Sequence, residues 1–128
     1  MGRKRRFGIS LPEELAEKLD TLSRKLSVDR SSLVEMALRE FIHDHTHYLY
    51  EHVCRGIMIV HRHGNNEQFL AIVEKFRDII RSYSHTHIDG VCFELLIVSG
   101  SSSRICQLHR ELSLLPRCRT RYIPFSTY

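Results

Sequence analysis

The chain has 128 residues, 27% of them charged, with a formal net charge of +4 and no tryptophan. That length suits one domain or two small ones, and small lobes bury too little surface to stand alone, so association of copies is the natural stabiliser. No signal-like segment and no long apolar run is present, which argues against a membrane role. It predicts a cytoplasmic protein whose cysteines (Cys54, Cys92, Cys106, Cys118), lacking a compact disulfide or Cys-x-x-Cys pattern, stay reduced.

Arg3, Lys4, Arg5 and Arg6 open the chain as a basic arm suited to a polyanion such as DNA. From Arg6 to Leu11 the residues alternate, with Phe7, Ile9 and Leu11 on one face and Arg6, Gly8 and Ser10 on the other, the pattern of a half-buried strand. Pro12, Glu13 and Glu14 start a helix carrying Leu15, Leu19, Leu22 and Leu26 at helical spacing. Asp29 is placed to cap a second helix with the apolar stripe Leu33, Val34, Ala37, Leu38, Phe41 and Ile42. One strand and two helices cannot close a core, and the cheapest partner for the strand is its own copy in a second chain. The resulting two-stranded ribbon over four helices fits a major groove, with Arg30 and Ser31 at the second helix N-terminus placed for phosphate. Residues 3–43 thus resemble the ribbon-helix-helix DNA-binding domain of the MetJ/Arc/CopG superfamily.

His43 to His52 is polar, rich in histidine and without a clear period. His43 and His47 stand four apart and could share a metal, but the stretch reads first as a solvated join. The expected division is residues 1–45 as the DNA-binding domain, 46–54 as linker and 55–128 as a second domain.

In that second domain a strand over Gly56–His61 is followed by a turn at Gly64, Asn65 and Asn66, with Asn66 placed to cap a helix containing Phe69, Ile72, Val73, Phe76 and Ile80. Asp89-Gly90 is a two-residue hairpin signal between strands Tyr83–Ile88 and Val91–Val98. A turn there pairs Ile88 with Val91, His87 with Cys92, Thr86 with Phe93 and His85 with Glu94. Directly paired residues share a face, so His85, His87 and Cys92 project together with Glu94 beside them. Two imidazoles and a thiolate suit a borderline-soft cation such as nickel, copper, zinc or cobalt, and three donors leave a place for one more. Gly100 to Ser103 caps a second helix with Ile105, Leu108, Leu112 and Leu115, Pro116 stops it, and Arg121–Phe125 is the last strand. The order βαββαβ is the ferredoxin-like plan, used in regulators as the ACT domain. The fold class is therefore α+β, a ribbon-helix-helix domain followed by a ferredoxin-like (ACT-type) domain.

A ribbon-helix-helix head, a histidine-rich join and a βαββαβ body bearing His-x-His…Cys together resemble the NikR family of nickel-responsive repressors. The resemblance implies a homotetramer, a dimer of dimers, that binds operator DNA when loaded with metal, foremost Ni(II), with Zn(II) or Co(II) as alternatives. It implies His85, His87 and Cys92 as ligands from one subunit, Glu94 as a hydrogen-bond partner behind them, and Arg6, Gly8 and Ser10 as groove-facing positions.

The chain departs from the family in several places. Four residues rather than the usual five separate His87 from Cys92. The family takes a fourth ligand, a histidine, from the neighbouring subunit's first ACT helix, but Glu74 to Arg81, Arg77 included, offers no histidine or cysteine. His61 and His63 are the obvious substitutes. Gly8 stands where the family carries a hydroxyl, and Ser32 and Met36 where it carries an acidic pair. Two other readings compete: a regulator whose ACT body senses an amino acid or other small ligand, and a regulator responding to zinc or cobalt. No general base or substrate pocket points to an enzyme.

Overall fold

The computed structural model describes residues 2–6, 8–64 and 66–125. The chain divides into two compact units, Met1–Phe41 (the head) and Ile42–Tyr128 (the body).

The head contains α1 (Glu13–Leu26) and most of α2 (Arg30–Thr46). Glu13 and Glu14 lie at the positive end of the α1 dipole and Arg24 and Lys25 at its negative end. The helix stops at Ser27, which takes a left-handed conformation (φ 53°) and donates its N–H to the Arg24 carbonyl. Asp29 caps α2 as expected: its carboxylate accepts from the Ser32 amide at 3.2 Å and the Ser32 hydroxyl at 2.6 Å, and these bonds hold its pKa below the usual carboxylate value. Arg30 reaches back to Asp20 on α1 at 3.2 Å. The strand expected over residues 6–11 is not formed among the described residues, Phe7 lying outside them. A strand exists by virtue of its ladder, and a single chain offers this segment none.

The body follows the expected order: β1 (Val53–Arg62), α3 (Glu67–Lys75), β2 (Ile80–Ile88), β3 (Val91–Ser101), α4 (Ser102–Ser113) and β4 (Cys118–Pro124). The four strands form one antiparallel sheet in the order β2-β3-β1-β4. Met58 and Val60 of β1, Leu96 and Val98 of β3 and Tyr122 of β4 join Phe69, Ile105, Leu108 and Leu112 of the helices in a single core. Ser101 caps α4 by accepting from the Arg104 amide, and the Arg104 guanidinium ties α4 to the end of α3 through Asp78 (3.0 Å) and the Lys75 carbonyl (2.8 Å). At Gly56 a side chain has no room, since a Cβ would come within 2.6 Å of the Tyr122 hydroxyl and 2.5 Å of the Ile123 carbonyl.

Three expectations are corrected. The first body helix ends at Lys75 rather than running through Ile80, because Ile79 turns into the core over Gly100 and its carbonyl accepts from Ser99, which delivers Ile80 to β2. Asn66 occupies the cap position of α3 but makes no side-chain capping bond; its Oδ1 accepts from Arg62 instead. Residues 46–54 are not a solvated linker: they hold the end of α2, a 3₁₀ turn (His47–Leu49) and the start of β1, with His47 and Cys54 both 4% exposed.

Candidate metal centre

The hairpin is built as its turn residues dictate. Asp89 (φ 50°) and Gly90 (φ 79°) both take positive φ, and the ladder behind them pairs Ile88 with Val91, His87 with Cys92, Thr86 with Phe93 and His85 with Glu94. His85, His87, Cys92 and Glu94 therefore share one face. The donor atoms of His85, Cys92 and Glu94 lie within 4.8 Å of one another. His87, exposed, stands opposite Cys92 but outside that cluster.

Glu94 is 1% exposed and accepts from three directions: Arg62 Nη2 at 3.1 Å, the Tyr83 hydroxyl at 2.9 Å, and His85 Nδ1, 3.1 Å from Oε2. A carboxylate engaged in this way has little left for a cation. Its effect is to hold Nδ1–H of His85, which fixes the ring and leaves Nε2 with its lone pair free. The Tyr83 hydroxyl is pushed up to about 12 by burial and by its bond to the Glu94 carboxylate, so it stays a donor. Arg62, whose side chain is 3% exposed, balances the Glu94 charge. Neither Arg62 nor Tyr83 was anticipated as part of the site. Tyr83 has a signal in the sequence, since it precedes His85 by two and shares its face. Arg62 becomes visible only once β1 is known to pair Arg62 with Cys92.

The proposed substitutes for the fourth donor lie apart from the cluster. His61 pairs with Phe93 and stacks on its ring (centroids 5.2 Å apart), on the opposite face of the sheet from Cys92. His63 follows the end of β1, its amide donating to the Arg117 carbonyl at 3.1 Å. Within one chain neither reaches His85, Cys92 and Glu94. In the head, Arg3, Lys4, Arg5, Arg6, Gly8, Ser10, Arg30 and Ser31 are all exposed.

His45, His47, His52 and His109 form a separate group. The 3₁₀ turn packs the His47 ring against Tyr48 and Tyr122, with Nδ1 4.0 Å from Cys54 Sγ and a buried, unpartnered Nε2. Burial first, then neighbouring His52, His109 and His45, pushes the His47 pKa down to about 4. Cys54 also meets the Tyr122 hydroxyl at 2.9 Å, and Tyr48 bonds Nδ1 of His109.

Residues 3–45 match the ribbon-helix-helix domain family, and residues 42–120 match the NikR C-terminal nickel-binding domain. The chain belongs to the NikR family of nickel-responsive regulators. Curated relatives named for nickel-responsive regulation include one from Thermococcus onnurineus, 33% identical over 84% of this chain and 82% of its own. Another, from Saccharolobus islandicus, is 32% identical over the same shares, and one from Dictyoglomus turgidum is 30% identical over 86% of each chain. Among solved structures, an uncharacterized protein from Thermotoga maritima matches 59% of this chain and all of its own with a TM-score of 0.56 at 12% identity, a likeness of fold alone. Membership makes nickel the metal to set against the site, and the donors present fit it. Imidazole nitrogen and cysteine sulfur converge on one hairpin, backed by a buried carboxylate that orients the ring. No helix among the described residues is long and apolar enough to cross a membrane.

Proposed function

We propose that this chain is a homotetrameric, nickel-responsive transcriptional repressor in which His85, His87 and Cys92 are the ligands supplied by one subunit. The observation that carries the reading is the gathering of His85 and Cys92 with buried Glu94 on the hairpin face that also bears His87, inside the region matching the nickel-binding family. His85 offers Nε2 because Glu94 holds its Nδ1, Cys92 offers Sγ as thiolate, and His87 completes the set by turning its exposed ring toward Cys92. Bound metal supplies a crosslink between these side chains and a donor from a second copy.

For that donor we assign His63 ahead of His61, since α3 carries no histidine and His61 is engaged with Phe93. The sheet face opposite Cys92 supports association of bodies: Phe93 and Leu95 are 40% and 41% exposed there, flanked by half-buried Ile57 and Ile59. In the head, a second copy of residues 6–11 gives each strand its ladder and turns Arg6, Gly8 and Ser10 to the major groove, with Arg3, Lys4, Arg5, Arg30 and Ser31 on phosphate. Metal binding and operator binding are then coupled because both favour the same arrangement of subunits.

The test is X-ray absorption on nickel-loaded wild type, Cys92→Ala and His63→Ala. The reading requires one sulfur donor in wild type, none in Cys92→Ala and one nitrogen fewer in His63→Ala. A sulfur-free site in wild type contradicts the hairpin assignment, and an unchanged nitrogen count in His63→Ala removes His63 as the closing donor.

A further inference from the structure

The body contains a cavity of about 220 Å³ beside the end of β1, between the first turn of α3 and the segment leading from α4 into β4. Phe69, Leu115 and Pro116 give it an apolar side, and Arg62 and Arg117 a cationic one. The Arg62 side chain and the Arg117 backbone are held by bonds already made. The Arg62 guanidinium lies 4.5 Å over the Phe69 ring and is held by Glu94. Arg117 sits in a left-handed conformation (φ 53°), with its carbonyl accepting from the His63 amide.

The charges around the cavity do not cancel. Glu94 answers Arg62, but Arg117 has no ion-pair partner among the described residues, and no carboxylate lines the cavity among them. One uncompensated guanidinium facing an apolar surface is complementary to a single negative charge on an apolar body. We propose that this cavity binds a small organic monocarboxylate, the carboxylate on Arg117 and the hydrocarbon on Phe69, Leu115 and Pro116. An amino acid fits less well, because its ammonium would be enclosed without a counter-charge. Inorganic phosphate leaves the apolar side unused. Arg62 touches both this cavity and Glu94, so the occupant lies one residue away from the bonds that hold His85.

The experiment is calorimetry on the full-length chain with butyrate, benzoate, 2-aminobutyrate, butylammonium and inorganic phosphate, loaded with nickel and again after chelation. Butyrate and benzoate are expected to bind saturably in both states. Arg117→Asn, which keeps a residue tolerant of positive φ, should weaken them at least tenfold, and Arg117→Lys should restore part of the loss. Leu115 methyl resonances should shift on binding. Butylammonium should not bind, and 2-aminobutyrate and phosphate should be at least tenfold weaker than butyrate. The proposal is overturned if butyrate does not saturate, if Arg117→Asn leaves it unchanged, or if phosphate or 2-aminobutyrate binds as well. Binding that disappears on chelation also overturns it, since the carboxylate is then at the metal.

Discussion

In the body, Met58, Val60, Phe69, Phe76, Leu96 and Leu108 are wholly buried by residues of the same chain. In the head, Leu15 is 49% exposed, Leu22 48%, Leu26 53% and Phe41 62%, and Leu33 is the single buried hydrophobic residue among those described. Both units carry apolar residues at regular spacing, so the difference lies in closure. A four-stranded sheet with two helices can cover its own core, whereas the two helices of the head leave much of their apolar surface uncovered.

That contrast can be broken most forcefully in the body. Phe76→Ala should cost about 3–5 kcal/mol, read from urea unfolding, because the core around Phe76 has no partner chain to repack it. A loss below about 1 kcal/mol would show that the body, too, depends on its neighbours.

Acid should act next, through the buried imidazoles of the body. His47 is neutral when folded, with a pKa of about 4 against 6.5 for the free side chain, so the unfolded chain takes the proton first as pH falls. The stability this group contributes is intact above pH 6.5, declines as pH falls from 6.5 toward 4, and loses nothing more below that. The loss is at most about 3 kcal/mol. His109, shifted down by burial, acts in the same direction. Urea unfolding at pH 7 and 4.5 checks this, and His47→Phe should flatten the difference; an identical pH profile in that variant would rule out the buried imidazole as its source.

Leu22→Glu sharpens the contrast from the other side. It should leave body unfolding within about 0.5 kcal/mol of wild type yet weaken operator binding about a hundredfold in a mobility-shift titration, since it charges the surface assigned to the second head in the proposed assembly. Unchanged DNA binding would mean that this stripe is not the head interface. The smallest effect belongs to Asp29→Ala, which removes the α2 cap and should slightly lower the melting temperature of the head followed by circular dichroism.

Legibility in the sequence follows the same division. At the hairpin, local chemistry decides and was legible: Asp89-Gly90 forces positive φ, and with it the whole ladder from Ile88–Val91 to His85–Glu94. Asp29 and Ser101 were legible as caps for the same reason. Where packing decides, the outcome was not legible. Periodicity carried the first body helix through Ile80, but the space over Gly100 draws Ile79 into the core. Polarity made His43–His52 look solvated, yet the 3₁₀ turn folds His47 onto Tyr122 and Cys54. Arg62 was invisible as a partner of Glu94 because the two are 32 residues apart and meet only through strand pairing. The strand over residues 6–11 depends on a ladder that one chain does not contain.

The most direct test of the account is operator affinity at fixed salt, with and without nickel, for wild type and Cys92→Ala, using DNA selected from a random pool by the loaded protein. The account predicts that nickel tightens wild-type binding at least tenfold and leaves Cys92→Ala unaffected, with body unfolding in the variant preserved. Nickel-independent affinity in wild type, or an undiminished nickel response in Cys92→Ala, would contradict it.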